Sequence, residues 1–149
     1  LSGYFANSDG YDMVAPSGEG AVRCMQGAIK SSGKNIDYIN THGTSTPVGD
    51  VAELNAINQL FGSDSPMISS TKSMIGHVLG GAGALEGIAT VLSIINQKAH
   101  PTINLENPDP ECDLNYVPNK SANVNINYAM SNNFGFGGQN ASIIFRKPN

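Results

Sequence analysis

The sequence predicts a layered α/β domain. Three observations carry that expectation: strand-like and helix-like stretches alternate along the chain, the helical stretches repeat apolar residues on one face, and two strands around a glycine loop close it. No internal repeat is visible.

Ser17 is placed to cap a helix from about Gly18 to Ser32, with Ala21, Met25, Ala28 and Ile29 on one face and Gly33 as its stop. Ile36 to Asn40 reads as a short strand feeding a loop of turn formers and hydroxyls, His42 to Pro47. Asp50 with Glu53 resembles a capping box, and Val51, Leu54, Ile57 and Phe61 then repeat at helical spacing up to Gly62. Met67 to Ser70 is a second strand, entering Thr71 to His77. A Gly/Ala-rich apolar helix follows to about Gln97, in which Gly80, Gly81 and Gly83 would let another backbone approach. His100 to Asn127 predicts an irregular excursion with a short strand near Leu114 to Val117. Tyr128 to Asn132 and Ala141 to Phe145 form the terminal pair.

A content of 40% hydrophobic residues is enough for a core, but charged residues reach only 13%, about half the roughly 25% of ordinary soluble domains. Part of the surface is therefore expected to be covered. Eight basic against twelve acidic residues leave no basic stripe, which excludes nucleic acid as a partner. Cys24 and Cys112 lack metal-type spacing, so neither a disulfide scaffold nor a structural metal is expected, and a reducing, cytoplasmic setting fits. Leu1 to Tyr4 carry no secretion signal, and the chain is expected to begin mid-protein. The apolar run Met74 to Ile95 is broken by glycines, His77 and Glu86, so it reads as a buried helix and no membrane span is expected.

The chemistry concentrates in three loops, holding His42, then Lys72 with His77, then Phe136. A neutral imidazole N–H can donate to an oxygen that becomes an enolate, and a nearby ammonium can hold and bias such rings. Glu53 has two readings, closing the capping box or pairing with Lys72, and the residues alone favour the first. Cys24 sits on an apolar helical stripe and reads as packing. His42, His77 and His100 offer three nitrogens for zinc, but no metal-binding spacing supports it. The loop Gly135 to Gly138 lacks the final glycine and following helix of a nucleotide cradle. Its flexibility beside Phe134 and Phe136 suits exposing a backbone N–H to a substrate oxygen while an aromatic ring closes the cavity.

Asn40 to Asp50, Lys72 to His77 with Gly80, Gly81 and Gly83, and Asn133 to Gly138 resemble, in order and spacing, the C-terminal motifs of β-ketoacyl-acyl carrier protein synthases. The resemblance covers essentially all of residues 1–149, read as the C-terminal domain of such an enzyme. It implies a thiolase-like fold of two related α/β halves in five α-β-α-β-α layers, usually a homodimer, with this chain as the second half. It implies that His42 and His77 bind the malonyl thioester carbonyl, that Lys72 organises the site with Glu53 as its acidic partner, and that Phe136 gates it and helps form an oxyanion hole. Thr44 and Thr46 would hold the carrier's phosphopantetheine arm, with Phe134 and Gly135 also at the substrate.

The implied reaction is a decarboxylative Claisen condensation between malonyl-acyl carrier protein and an enzyme-bound acyl group, with no cofactor in the protein itself. The acyl-accepting cysteine belongs to the family's other half, so these residues alone are expected to be inactive. Ser8 to Arg23 look more like the type I synthases, and Pro101 to Asp109 with Cys112 to Leu114 more like type II, with type I slightly favoured. Two alternatives remain: a ketosynthase domain of a polyketide or polyunsaturated fatty acid assembly line, and a non-catalytic chain-length-factor partner. The end soon after the last strand speaks against the first, and the retained histidines against the second.

Overall fold

Residues 1–111 and 113–148 are described by a computed structural model; Cys112, and with it the expectations for the two-cysteine set, lies outside the described residues. The chain runs β1 (Gly3–Ser8), α1 (Glu19–Ser32), β2 (Tyr38–Asn40), α2 (Pro47–Phe61), β3 (Met67–Ser69), α3 (Lys72–Ile75), α4 (Ala82–Asn96), β4 (Lys98–Ala99), β5 (Ala122–Asn123), β6 (Tyr128–Gly135) and β7 (Gln139–Arg146). Five strands form a mixed sheet in the order β1-β7-β6-β2-β3. β2 runs parallel to both β3 and β6, whereas β6, β7 and β1 are antiparallel in turn.

Side-chain alternation along the strands divides the core in two. Ile39, Met130 and Ile144 face α1 and α2 with Met25, Ala28 and Ile57, whereas Tyr38, Ala129 and the partly buried Phe145 join Ile94 on the α4 side. The result is helices on both faces of one sheet.

Several boundaries differ from the sequence expectation for local reasons. β1 was not expected, because it is an edge strand whose middle residues are exposed and carry no alternating signal. α1 starts at Glu19 with Gly18 in the N-cap position, so Ser17 sits one residue before the cap, its Oγ accepting the Gly20 N–H at 3.3 Å. α2 starts at Pro47, which is preorganised for a first helical position. The Asp50 carboxylate instead accepts the Ser45 N–H at 3.0 Å, so the Asp50–Glu53 capping box does not form. The strand expected at Leu114 to Val117 reduces to one bridge, Tyr116 to Ile68.

α4 inverts the usual amphipathic pattern. Its buried residues include Glu86, Thr90 and Ser93, whereas Leu85, Ile88, Leu92 and Ile95, spaced three, four and three apart, face outward, Ile88 being 59% and Ile95 63% exposed. Leu79–Asn96 is long and apolar enough to cross a membrane by composition. It packs on β6 and carries an ion-paired glutamate inward, but only 33% of the stretch is buried, so the expected buried helix has one apolar face open in this chain. No backbone approaches Gly80 or Gly81 within 4 Å of a Cβ position, and Gly83 meets only the Asn133 side chain, so the close approach expected there is absent among the described residues.

Candidate active site

β2 and β3 stop in register, Asn40 pairing with Ser69, and on its other side Asn40 pairs with Ser131, from which β6 runs on to Gly135. Loops leaving the carboxyl ends of parallel strands gather at one edge of the sheet. His42 follows β2, Lys72 follows β3, and Phe134 lies near the end of β6, so strand register alone brings the three loops together.

The His42 loop is pinned from beneath by Glu53. Its Oε1 and Oε2 accept the His42 and Gly43 N–H groups, each at 2.9 Å, and Oε1 also takes the Asn132 amide at 3.2 Å. Gly43 has φ 38°, and a Cβ there would lie 2.7 Å from the Ser70 side chain, whose hydroxyl donates to the Gly43 carbonyl. That turn requires glycine. Burial pushes the Glu53 carboxyl up to about 7 against the opposing pull of those N–H donors.

Lys72 is buried, and its ammonium spends its donors within the site: on Glu86 Oε1 at 2.5 Å, on the His42 carbonyl at 2.6 Å and on His42 Nδ1 at 3.3 Å. The partner of Lys72 is therefore Glu86, not Glu53. Glu53 is committed to backbone N–H groups on the α2 side, whereas α4 delivers Glu86, fully buried, from the other face. The second oxygen of Glu86 accepts the Asn133 amide at 3.0 Å, tying α4 to β6.

His77 stands on the turn after Gly76, its ring edge-to-face with His42 at a centroid distance of 5.5 Å and an angle of 84°. Its Nδ1 accepts the Leu79 N–H at 3.1 Å, so its proton sits on Nε2. The ammonium can only donate to His42 Nδ1, so the neutral His42 ring also carries its proton on Nε2. Burial first, then the Lys72 charge, then His77, hold the His42 pKa down to about 3, which keeps that ring neutral. Both rings thus present an N–H donor from Nε2.

Thr44 and Thr46 share a hydrogen bond of 3.0 Å and line a cavity of about 480 Å³ together with Lys72, His77, Leu105 and Pro108. His42 is not on the lining, although its neighbours Thr41 and Gly43 are. The Phe134 ring lies 6.1 Å from the His42 ring. Gly135 pairs with Gln139 at the end of β6, and Phe136 is 70% exposed on the following turn, so its ring closes no cavity within this chain.

His100 is placed elsewhere, between Tyr38, Ser69 and Thr71, so the three histidines do not converge as a zinc set. Cys24 is buried on α1, and burial pushes its thiol up, which suits packing rather than nucleophilic attack. Sequence reasoning missed Glu86 as a site residue. The available signal was an acid within an otherwise apolar helix, a placement that demands a buried cation.

The sequence matches the family described as beta-ketoacyl synthase, C-terminal domain, over residues 1–106. It is 56% identical over its whole length to 3-oxoacyl-[acyl-carrier-protein] synthase 1 of Haemophilus influenzae, and 51% identical over 99% of it to 3-oxoacyl-[acyl-carrier-protein] synthase 2 of a Synechocystis species. The chain spans 37% of the length of each. Among solved structures, a ketosynthase bound to a hexaketide and in complex with a type II polyketide acyl carrier protein superposes over the whole chain and 38% of its own, with TM-score 0.94 and 37% identity.

Proposed function

Since the chain belongs to the family of β-ketoacyl synthase C-terminal domains, whose thiolase-like fold it shares as a C-terminal half, we propose that it supplies the decarboxylating part of a 3-oxoacyl-acyl carrier protein synthase site. The reaction is that of fatty acid biosynthesis. The malonyl thioester loses carbon dioxide, the electron pair of the broken carbon–carbon bond moves onto the thioester oxygen as an enolate, and its α-carbon attacks an acyl thioester on cysteine. A new carbon–carbon bond forms and the cysteine thiolate leaves, the cysteine coming from the other half of the protein.

The observation that carries this reading is the pair of imidazoles at 5.5 Å, each with Nδ1 engaged by a donor and Nε2 left for a substrate oxygen. Donors aimed at an oxygen that gains charge only in the transition state lower the barrier without tightening ground-state binding. Lys72 fixes His42 through its carbonyl and ring and is itself held by Glu86, and Glu53 fixes the same loop through its backbone. Thr44 and Thr46 at the cavity suit a phosphopantetheine arm, so acyl carrier protein is the proposed partner. Phe134, Gly135 and the Phe136 backbone N–H complete the substrate-facing set. The site offers imidazole, ammonium, hydroxyl and backbone donors, with the substrate carried on phosphopantetheine. We place the protein in the cytoplasm as a homodimer, and the 56% against 51% identities favour synthase type I.

In the full-length protein, His77→Ala should lower malonyl decarboxylation by about 100- to 1,000-fold, the usual loss for one oxyanion donor, and leave acyl loading within twofold. Undiminished decarboxylation removes the role given to His77. A polyketide ketosynthase is the second reading, favoured by the likeness to the carrier-bound ketosynthase. The histidines retained here count against a non-catalytic chain-length-factor role.

A further inference from the structure

The last position of β2 is occupied by an amide where the burial alone would suit an aliphatic side chain. Asn40 is fully buried and faces the α4 side of the sheet. A buried amide is tolerated only when its polar atoms are paired, and here both ends are. Nδ2 lies 2.8 Å from Thr71 Oγ1, 3.1 Å from the Glu86 carbonyl oxygen and 3.2 Å from Thr90 Oγ1. Oδ1 accepts the Thr71 N–H at 3.4 Å and lies 3.1 Å from Thr71 Oγ1.

These partners are the two anchors of the buried ion pair. Thr71 immediately precedes Lys72, and Glu86 is the acid that Lys72 meets. α3 has only four residues and its first turn makes no side-chain cap, so it does not orient itself. His100 supports Thr71 from behind: its Nδ1 lies 3.3 Å from the Pro101 carbonyl, which only accepts, leaving Nε2 to accept at 2.9 Å from Thr71 Oγ1.

We propose that Asn40 is a positioning residue that fixes the start of α3 against α4, and so sets where the Lys72 ammonium meets Glu86 and His42. The geometry stands by itself; only its catalytic consequence rests on the ketosynthase reading above. Because Lys72 touches both the His42 carbonyl and Nδ1, an ammonium released from its place also releases the ring.

The test uses Asn40→Asp in the full-length protein, which keeps size and replaces the donating end with an acceptor facing three acceptors. We expect the malonyl decarboxylation kcat to fall at least tenfold with KM within threefold. The ¹⁵N resonance of His42 Nδ1 should move toward that of an unpaired ring nitrogen. Thr71→Val, which removes the hydroxyl that Asn40 grips, should move the same resonance and serves if Asn40→Asp does not fold. A folded variant with an unchanged His42 resonance, whatever its melting temperature, overturns the proposal. A wild-type protein without decarboxylase activity sinks the ketosynthase reading instead, and the resonance still judges Asn40.

Discussion

At the scale of single residues, Glu86 and His42 show what burial asks of charge. A carboxylate at 0% exposure is sustained by the Lys72 ammonium and the Asn133 amide. Breaking such a pair from one side leaves an uncompensated buried charge, so Glu86→Leu should destabilise the full-length protein by about 3–5 kcal/mol. Denaturant melts should show most of that loss recovered in the Lys72→Met, Glu86→Leu double variant. His42 titrates in the opposite sense from a paired histidine. Its folded pKa is depressed from 6.5 to about 3, so its contribution to stability is present above pH 6.5 and lost as pH falls toward 3. Glu53 does the reverse: its value is raised from 4.5 to about 7, so its contribution is complete below pH 4.5 and lost as pH rises through 7. Stability measured against pH should therefore fall less between pH 4.5 and 8 in Glu53→Gln than in the wild type, and an unchanged slope would contradict the burial argument. His42, Lys72 and His77 stood out in the sequence as candidates because their loops combine turn formers with functional groups, and the fold brings the three side chains together. The true partner of Lys72 was not, because which acid reaches the ammonium depends on the face of the sheet from which its helix arrives.

At the scale of elements, α1 was readable from its apolar face and α2 from the glycine that ends it, each within a few residues, whereas β1 lies exposed at the sheet edge and left no trace. α4 is the instructive case. Its apolar content was plain, but its inversion was not, since hydrophobicity does not say which side meets the sheet. Glu86 and Thr90 face inward because Lys72 and Asn40 satisfy them, and Ser93 is buried on the same helix, which leaves Leu85, Ile88, Leu92 and Ile95 outward. Such a stripe is expected to be buried by the rest of a full-length synthase. Leu92→Glu should then disrupt the full-length protein, seen as a lowered melting temperature, yet reduce self-association of residues 1–149 expressed alone. Equal melting temperatures for wild type and variant would show that nothing covers the stripe.

At the scale of the whole molecule, the low charge content, the outward apolar stripe and the match to 37% of each relative's length agree. Each is what a half of a larger site would show. One sheet edge holds the two imidazoles and the buried ion pair beside them, and the proposed reaction needs a cysteine brought by the other half. The central claim is that His42 and His77 act as one donor pair on a single oxygen. Its most direct test is carbon dioxide release from a malonyl thioester by the full-length protein, comparing His42→Ala, His77→Ala and the double variant. Groups acting as a unit are non-additive, so the double variant should be no slower than the slower single one by more than about threefold. Losses that multiply, or a single variant that keeps wild-type release, would contradict it.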